Sequence, residues 1–300
     1  MNGETVEDTF AEAFRSYYSR VLITGSTSEL ARTAAVTSTG FATSALGCGV
    51  EAGIETELPE KQAPDGRPGI ICQYHIWSRD PKKMYGVLLA RIGHCVLTAP
   101  STAVFDATAN PLAKIDLGVK LGFFGDGYEE EGEIGGRKVI IIPIMGGEFK
   151  IEREVGMSKG ISGGNLWFMG SSQSAAIEAA RSATAAISGV KGVITPFPGG
   201  VCSSGSKVGA ERYKFLANST NHPYCPTLRG KIRDSKVPKG VESIMEVVIN
   251  GTSLKSVQRA MKVGIDAALG TKGLIRISAG NFGGKLGRFK IHLRDLQDAP

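Results

Sequence analysis

Residues 242–280, ESIMEVVINGTSLKSVQRAMKVGIDAALGTKGLIRISAG, carry the pattern from which the fold can be predicted. An apolar run rich in valine and isoleucine indicates a first strand, and a glycine ends it. The next segment has apolar residues at helical spacing, a serine or threonine able to cap its first turn, and a glycine at its end. The stripe of this predicted helix comprises Val257, Met261, Val263, Ile265 and Leu269. A second apolar run at 273–280 completes a strand–helix–strand unit.

The same unit occurs four times along the chain. The units span residues 19–49, 69–100, 164–200 and 242–280, with second strands predicted at 41–49, 94–100, 192–200 and 273–280. Two such units in series are typical of a βαββαβ sandwich of the ferredoxin-like type. Residues 115–154, between the two pairs, contain alternating strand-like runs and glycine turns, which predicts a β-rich bridge.

We therefore predict an α+β protein with two ferredoxin-like (βαββαβ) α/β-sandwich lobes joined by a β-rich bridge. The N-terminal lobe with the bridge is predicted to cover residues 1–155, and the C-terminal lobe residues 156–300, with the tail 288–300 packing back on the first lobe. The repetition of the unit favours an internal duplication. The cleft between the lobes is the expected place for a ligand.

The composition is that of a globular protein. Of 300 residues, 42% are hydrophobic and 21% are charged, and the 40 glycines cluster in short loops instead of forming a repeat. The net charge of +6 indicates either a mildly basic surface without a specific role or a surface that attracts small polyanions. Nucleic acid is not an expected partner, because no block of Lys and Arg alternates with aromatic residues.

The same composition bears on compartment and metal binding. No apolar run approaches the ~18 residues of a membrane span, and the acidic, polar start does not resemble a secretion signal. The five cysteines are widely spaced and lack the spacing of metal ligands. This pattern favours free thiols in a reducing cytoplasm and no bound metal.

The glycine-rich stretch 278–287, SAGNFGGKLG, resembles a phosphate-binding loop but lacks two essential residues. Ala279 stands where the first glycine is required, and Leu286 stands where a magnesium-binding Ser or Thr is required. A phosphate-using enzyme of the kinase type is therefore disfavoured. We expect this loop to line the cleft and to offer backbone N–H groups to an oxyanion. The other segments expected at this edge are 48–55, 98–105 and 195–209.

Glu246 interrupts the apolar strand IMEVVI and is the principal candidate for chemistry. Strand alternation places it on the face of Val248, opposite Met245 and Val247. It is either an exposed edge-strand residue or a partly desolvated acid or base with a raised pKa.

Polar residues of the predicted loops are further candidates. Lys207 and Lys285 are placed to meet an anion, and Asn221 and Asn281 to donate hydrogen bonds from their amides. His222 lies in a loop, whereas the other three histidines are predicted to be structural. From these residues alone, a ferredoxin-like module that binds a small molecule without catalysis is the alternative to an enzyme.

Short segments spread over nearly the whole chain share the motifs of one family. The most specific are PDGRPG (64–69), PFPGG (196–200) and SAGNFGGKLG (278–287). The others include VEDTFAEAF (6–14), EAGIE (51–55), FFGDGY (123–128), SGSKVG (204–209), YCPT (224–227) and EVVING (246–251). Together they resemble the formylmethanofuran–tetrahydromethanopterin N-formyltransferase family.

This resemblance implies transfer of a formyl group between the amine of methanofuran and N5 of tetrahydromethanopterin, as in the one-carbon metabolism of methanogens. It implies an enzyme without a metal or prosthetic group, in which both coenzymes act as co-substrates. It also implies a homo-oligomer, typically a tetramer. The expected partners are thus small anionic molecules, and neither nucleic acid nor a membrane.

The resemblance also suggests roles for individual residues. Glu246, in the motif EVVING, is expected to be the acid/base or charge-stabilising carboxylate, with Asn221 beside it at the oxyanion. The expected substrate-binding residues are Arg67, Phe197, Lys207, Ser219, Thr220, Asn281, Phe282 and Lys285. Of these, the two phenylalanines offer flat surfaces to furan or pterin. The chain differs from the usual family pattern in its positive net charge and in His222-Pro223, where an acidic residue is common.

Overall fold

The computed structural model describes residues 5–298 of the chain. The first half contains β1 (Phe10–Thr24), α1 (Ser28–Thr39), β2 (Thr43–Ser44), β3 (Val50–Leu58), β4 (Gly69–Ile76), α2 (Pro81–Arg91), β5 (Ala103–Asp106), β6 (Ala113–Asp116), α3 (Leu117–Gly122), β7 (Glu130–Ile134), β8 (Arg137–Ile144) and β9 (Gly147–Glu152). The second half contains β10 (Glu154–Gly170), α4 (Gln173–Ile187), β11 (Val193–Ile194), β12 (Lys207–Val208), β13 (Asn218–Ser219), β14 (Ser243–Gly251), α5 (Leu254–Ala268), β15 (Leu274–Ser278), β16 (Phe289–His292) and α6 (Leu293–Asp298). Within the described part, β12 and β13 form a separate hairpin, and the other strands belong to one mixed, 14-stranded sheet. The predicted α+β class is confirmed.

In the first half, β1 lies between β4 and β5, and β3 borders β4, all antiparallel. Helices α1 and α2 pack on one face of these strands, where Tyr74, Met84 and Leu88 are fully buried. Strand β9 runs parallel to β5, and β8 and β7 follow it in an antiparallel meander. The segment predicted as a bridge therefore extends the sheet of the first half, and it also contains the short helix α3.

The second half has the same connectivity. Strand β10 lies between β14 and β15, and β11 borders β14, again antiparallel. Helices α4 and α5 cover one face with small or flexible residues that are fully buried, among them Ala179, Ala183 and Met261. Ser253 caps α5 by accepting a hydrogen bond from the Ser256 N–H, as its place in the sequence predicts. None of the helices within residues 5–298 combines the length and the apolar character needed to cross a bilayer.

The first strands of the two halves pair with each other. Strands β1 and β10 are antiparallel, with Ser16 opposite Gly160 near the middle of their contact. Both strands are long, so that the start of β1 pairs with β16 and the start of β10 pairs with β6. Ile291 and Leu293 lie in the core of the second half, which places residues 289–298 there, beside the start of β1. Residues 299 and 300 of the predicted tail lie outside the described residues.

Two buried glutamates on β3 connect the halves. Glu55 binds Arg20 through both carboxylate oxygens, at 2.7 and 2.8 Å, and accepts the Gly192 N–H from the second half at 2.9 Å. Glu51 accepts the Asn250 side-chain amide, also from the second half, at 2.6 Å. Removing one partner of a buried ion pair such as Arg20–Glu55 typically lowers the free energy of unfolding by about 3–5 kcal/mol. These contacts therefore link β3 of the first half to the second half.

A chain of buried polar side chains continues from Glu55. Gln73 donates from Nε2 to Glu55 Oε2 at 2.7 Å, so its oxygen faces His75 Nε2, also at 2.7 Å. His75 must then carry its proton on Nε2, and Nδ1 accepts the Ser16 hydroxyl at 3.0 Å. Burial lowers the pKa of His75 to about 3, which keeps the imidazole neutral. The prediction that this histidine is structural agrees with its position in β4.

Two strand predictions in the first half are wrong. Residues 41–49 form mainly a turn, with Phe41 exposed at a φ of 47°, and the strand begins at Val50. Segment 48–55, expected as a cleft loop, is therefore mostly strand. Residues 94–100, expected as a strand, begin as a continuation of α2, in which the Leu97 N–H bonds the Ile92 carbonyl at 2.8 Å. Residues 94–100 contain buried apolar residues in a short run, a pattern that periodicity cannot assign to helix or strand. At 41–49, by contrast, Phe41 and Leu46 are exposed and the buried apolar residue is Ala42.

Candidate active site

Glu246 lies in the middle of β14, on the face turned away from the helices. Its neighbours Met245 and Val247 are buried beneath α4 and α5, as strand alternation predicts. Beside β14, the backbone of Glu246 pairs with Cys202 through two hydrogen bonds of 2.7 and 2.8 Å. The segment after β11 therefore continues the sheet at this point, and Glu246 is half-buried rather than exposed at a sheet edge.

The Glu246 carboxylate accepts a side-chain hydrogen bond from the neighbouring strand. The indole Nε1–H of Trp167, on the neighbouring strand β10, donates to Oε1 at 3.1 Å. Burial raises the pKa of Glu246, and the Trp167 hydrogen bond and the nearby Cys202 side chain oppose this shift. The group thus has the partly desolvated environment expected of a carboxyl group that acts as an acid or a base.

A cavity of about 190 Å³ opens beside this carboxylate. Its lining combines apolar and aromatic surface with hydroxyl, thiol and amide groups. The lining residues are Trp167, Cys202, Ser203, Ser204, Gly205, Asn221, Tyr224, Cys225, Pro226, Thr227, Ile244 and Glu246. Parts of segments 195–209 and 219–227 therefore meet at Glu246.

Asn221, expected at the oxyanion, lines the same cavity as Glu246. The residues just before it are held by local contacts. Ser219 donates its hydroxyl hydrogen bond to the Gly209 carbonyl at 2.7 Å, and Thr220 lies 3.4 Å from the Cys225 sulfur. The hydroxyl groups of Ser219 and Thr220 therefore stabilise the wall of the cavity.

Lys207 lies on the β12–β13 hairpin and forms an ion pair with Glu211 at 2.5 Å. His222 lies between two carboxylates, 3.6 Å from Glu211 and 3.5 Å from Asp234. These exposed contacts tie the hairpin to the loop that carries Asn221. The hairpin also exposes Phe215, whose side chain is 84% accessible.

The glycine-rich loop 278–287 binds a carboxylate of the chain itself. Glu12 of β1, only 1% exposed, accepts backbone N–H groups from Phe282 at 2.7 Å, Leu286 at 3.1 Å, Gly287 at 2.5 Å and also Gly284. Burial by itself would raise the pKa of Glu12, but the four amides outweigh it and hold the pKa below its ordinary value. The loop therefore does offer N–H groups to an anion, as its glycines predict, but these four are occupied by Glu12.

None of the eight expected substrate-binding residues lines the cavity itself, and five of them also lie outside the β12–β13 hairpin and the loop that carries Asn221. Arg67 binds Asp65 at 2.8 Å and Thr24 at 3.0 Å, and thereby braces its own loop in the first half. Asn281 donates to the Phe10 carbonyl at 3.1 Å. The remaining three are Phe197, half-buried, and Phe282 and Lys285, both exposed.

Loop 278–287 nevertheless contacts one residue of the cavity lining, because Gly280 packs against Trp167. A Cβ at this position would lie 2.7 Å from Cζ2 of Trp167, so only glycine allows the backbone to rest on the indole. Asn165 fixes Gly280 by accepting its N–H at 2.6 Å and donating to its carbonyl at 3.1 Å.

Sequence reasoning missed Trp167, Cys202 and Glu12. Trp167 and Cys202 meet Glu246 only through the register of β14 with its two neighbours, which no local pattern specifies. Glu12 is separated from its loop by about the whole length of the chain. The residue itself gave no signal, because an isolated glutamate in an alternating strand usually faces solvent.

No group of three or more His, Cys, Asp or Glu side chains within residues 5–298 is arranged to hold a metal ion. All five cysteines are free thiols.

The fold and the cavity define an α+β protein that presents a partly desolvated acid to a small polar cavity. A model of the formylmethanofuran-tetrahydromethanopterin formyltransferase family matches residues 1–144, and a model described as the proximal lobe of the same transferase matches residues 147–296. The chain belongs to the formylmethanofuran–tetrahydromethanopterin formyltransferase family, which confirms the resemblance inferred from its motifs.

Individual relatives match over almost the full length. The formylmethanofuran–tetrahydromethanopterin formyltransferase of Methanothermus fervidus is 52% identical over 299 residues, covering 99% of both chains. Among solved structures, the corresponding transferase of Methanosarcina barkeri superposes with a TM-score of 0.94 at 46% identity, covering 99% of both chains. The formyltransferase/hydrolase complex of Methylorubrum extorquens, in complex with methylofuran, contains a chain with a TM-score of 0.93 at 40% identity, covering 100% of this chain and 99% of that one.

Proposed function

We propose that this protein transfers a formyl group between N-formylmethanofuran and N5 of tetrahydromethanopterin. The observation that carries the proposal is that the chain belongs to this family and places a half-buried carboxyl group, Glu246, at a cavity. Burial raises the pKa of this carboxyl group. Both coenzymes are co-substrates, and the proposed reaction needs no other cofactor.

Transfer between two nitrogens proceeds in this proposal through a tetrahedral intermediate. The attacking nitrogen forms a bond to the formyl carbon, the carbonyl oxygen becomes an oxyanion, and the attacking nitrogen must lose a proton. Collapse of the intermediate breaks the bond to the departing nitrogen, which must gain a proton. Glu246 accepts the first proton and donates the second, so the carboxyl group ends in its initial state.

Asn221 is proposed to donate its side-chain amide to the developing oxyanion, because it lines the same cavity as Glu246. Ser219 and Thr220 support this segment and contact substrate where it enters. The protein must also hold the two large substrates in a reactive orientation, and this proximity accelerates the transfer.

Both coenzymes carry anionic groups and extend beyond a cavity of about 190 Å³. We therefore propose that Lys207, near the cavity, and Lys285, at the glycine loop, bind carboxylate or phosphate groups at the outer ends. Phe282 and Phe197 are proposed to contact the ring systems, and Arg67 and Asn281 to support the outer binding surface through their loops.

The proposed architecture is a pair of ferredoxin-like sandwiches, with lobes at residues 1–155 and 156–300. The strand orders β3-β4-β1-β5 and β11-β14-β10-β15 support this proposal, because each is the 2-3-1-4 order of a βαββαβ unit. The repeated order also supports an internal duplication. A cytoplasmic homo-oligomer, most simply a tetramer, completes the proposal.

The test is an absorbance assay of the full chain with formylmethanofuran and tetrahydromethanopterin. The wild-type protein is expected to transfer the formyl group, and Glu246→Gln to lower kcat by about 10²–10⁴-fold, the usual contribution of a general acid–base. Glu178→Gln, an exposed glutamate on α4, is the matched control and should retain wild-type kcat. A folded Glu246→Gln protein with near-normal kcat would remove Glu246 from the mechanism.

A further inference from the structure

Trp167 is held more firmly than an ordinary cavity-lining aromatic residue. Gly280 rests against one part of the indole, at the position where any Cβ would clash. Tyr224 meets the ring edge-on, with the two ring centroids 4.7 Å apart and an interplanar angle of 71°. Asn165, two residues earlier on β10, fixes Gly280 from both its N–H and its carbonyl.

This packing determines where the indole N–H points. With its ring held between Gly280 and Tyr224, Trp167 directs Nε1–H to Oε1 of Glu246 at 3.1 Å. Cross-strand pairing adds a second constraint, because Trp167 on β10 is directly opposite Glu246 on β14. A carboxylate that must exchange protons with two different nitrogens requires such a fixed orientation.

We propose that Trp167 is a positioning residue, whose indole N–H orients the Glu246 carboxyl group and stabilises its ionised form during formyl transfer. The catalytic role of Trp167 rests on the proposed function. The hydrogen bond from Trp167 to Glu246, and its effect on the ionisation of Glu246, follow from the geometry and do not depend on that function. Because Glu246 must be neutral at one step and ionised at another, a single donor of fixed direction also sets the balance between these states.

Other titratable groups face the same carboxyl and must be separated from this effect. The Cys202 thiol approaches from the segment after β11, and Tyr224 and Cys225 approach from the loop after Asn221. In that loop region, the Lys236 ammonium lies over the Tyr224 ring, 5.9 Å from its centroid. Burial raises the pKa of Tyr224 above its ordinary value, so its phenol stays neutral through the range in which Glu246 titrates.

The chain contains two tryptophans, and this makes a direct measurement possible. In Trp77→Phe, Trp167 is the only indole, and its fluorescence should change with pH as Glu246 ionises. The midpoint is expected above 4.5, the ordinary pKa of a glutamate, and the change should vanish in Trp77→Phe/Glu246→Gln. A titration that persists unaltered in the double variant would overturn the proposed hydrogen bond.

The kinetic test uses Trp167→Phe, which keeps an aromatic ring but loses the N–H. The limb of the kcat–pH profile that reports Glu246 should move to higher pH by about one unit, because a hydrogen bond to a charged group stabilises that form by a comparable amount. We also expect kcat at the optimum to be roughly tenfold lower, because one pKa unit corresponds to a factor of ten, and we expect KM to change little. Trp77→Phe is the matched control and should keep both the limb and kcat, since Trp77 stacks on Phe14 away from the cavity.

The outcomes separate this inference from the proposed function. If Trp167→Phe lowers kcat equally at all pH values with no shift of the limb, Trp167 serves packing only and the inference is wrong. If the fluorescence midpoint is found but the wild-type protein does not transfer formyl groups, the hydrogen bond stands and the proposed function fails. Thermal unfolding of each variant identifies any loss of activity that comes from misfolding.

Discussion

The four backbone N–H groups that bind the Glu12 carboxylate, here called the Glu12 cradle, lead to a prediction about stability. The ionised carboxylate accepts four backbone N–H groups, whereas the amide of Glu12→Gln has one acceptor oxygen and turns an NH₂ group toward two of the donors. Hydrogen bonds to charged groups contribute about 1.5–3 kcal/mol each, and two are lost. We therefore expect the free energy of unfolding to fall by about 3–5 kcal/mol, with water reaching part of the loop and moderating the loss.

Urea unfolding of the full chain at neutral pH measures this change. Glu12→Gln should lower the midpoint at nearly constant m-value, and the amides of Leu286 and Gly287 should lose protection from hydrogen exchange. Glu178→Gln, which makes the same chemical change on an exposed surface of α4, should alter the free energy of unfolding by less than about 0.5 kcal/mol.

The pH dependence provides an independent check on the sign. The pKa of Glu12 is lower in the folded protein than in the unfolded chain, so its stabilisation is complete above the unfolded value of about 4.5. It is lost as the pH falls through the lower, folded value. The gap between wild type and Glu12→Gln should therefore narrow below about pH 4.5. A gap under about 0.5 kcal/mol at neutral pH, or one that stays constant into acid, would refute the cradle as a stabilising contact.

Two other sites give further predictions. Buried His75 has a pKa of about 3 and stays neutral, whereas the same histidine in the unfolded chain takes up a proton near pH 6.5. Because the unfolded state binds this extra proton, the free energy of unfolding should fall by about 1.4 kcal/mol per pH unit between pH 6 and pH 4. His75→Gln should remove this slope in a series of urea titrations, and an equal slope in both proteins would contradict the assignment. Gly280→Ala would place its Cβ against the Trp167 indole, so we expect kcat to fall at least tenfold and the melting temperature to fall by several degrees. Gly86→Ala, on an open helix surface with no neighbour within 4 Å of the added Cβ, should leave kcat unchanged, and equal effects of the two substitutions would show that the indole contact is unimportant.

Much of the site's strand geometry follows from sequence. The alternation around Glu246 correctly predicts that Met245 and Val247 face the helices and that the carboxylate faces the other way, because strand side chains alternate with a period of two. Asn221 and Glu246 were expected at one site, and both line the cavity. The motifs of the chain are also sufficient by themselves to identify its family, because each lies within a short segment.

The errors have a common physical origin. The apolar runs at 41–49 and 94–100 are too short for periodicity to assign, and the tertiary structure decides each outcome. Val96 and Leu97 are buried in a helical segment, whereas Phe41 and Leu46 are exposed in a turn. Loop 278–287 was expected to bind a substrate oxyanion, and its amides instead bind Glu12. A glycine-rich loop shows that backbone N–H groups are available, but the identity of the anion depends on what the fold brings beside it.

Local sequence therefore determined the strand–helix–strand units, the outward face of Glu246 and the family, since these depend on neighbouring residues and on motifs of a few residues each. The tertiary structure alone decided that Trp167 donates to Glu246 and that Cys202 pairs with its backbone. It also decided that Glu12 fills the glycine loop, and that Glu51 and Glu55 join the two halves. Each of these contacts joins residues far apart in the chain through strand register. Register is set by the packing of the whole sheet, and it leaves no mark in the residues on either side of the contact.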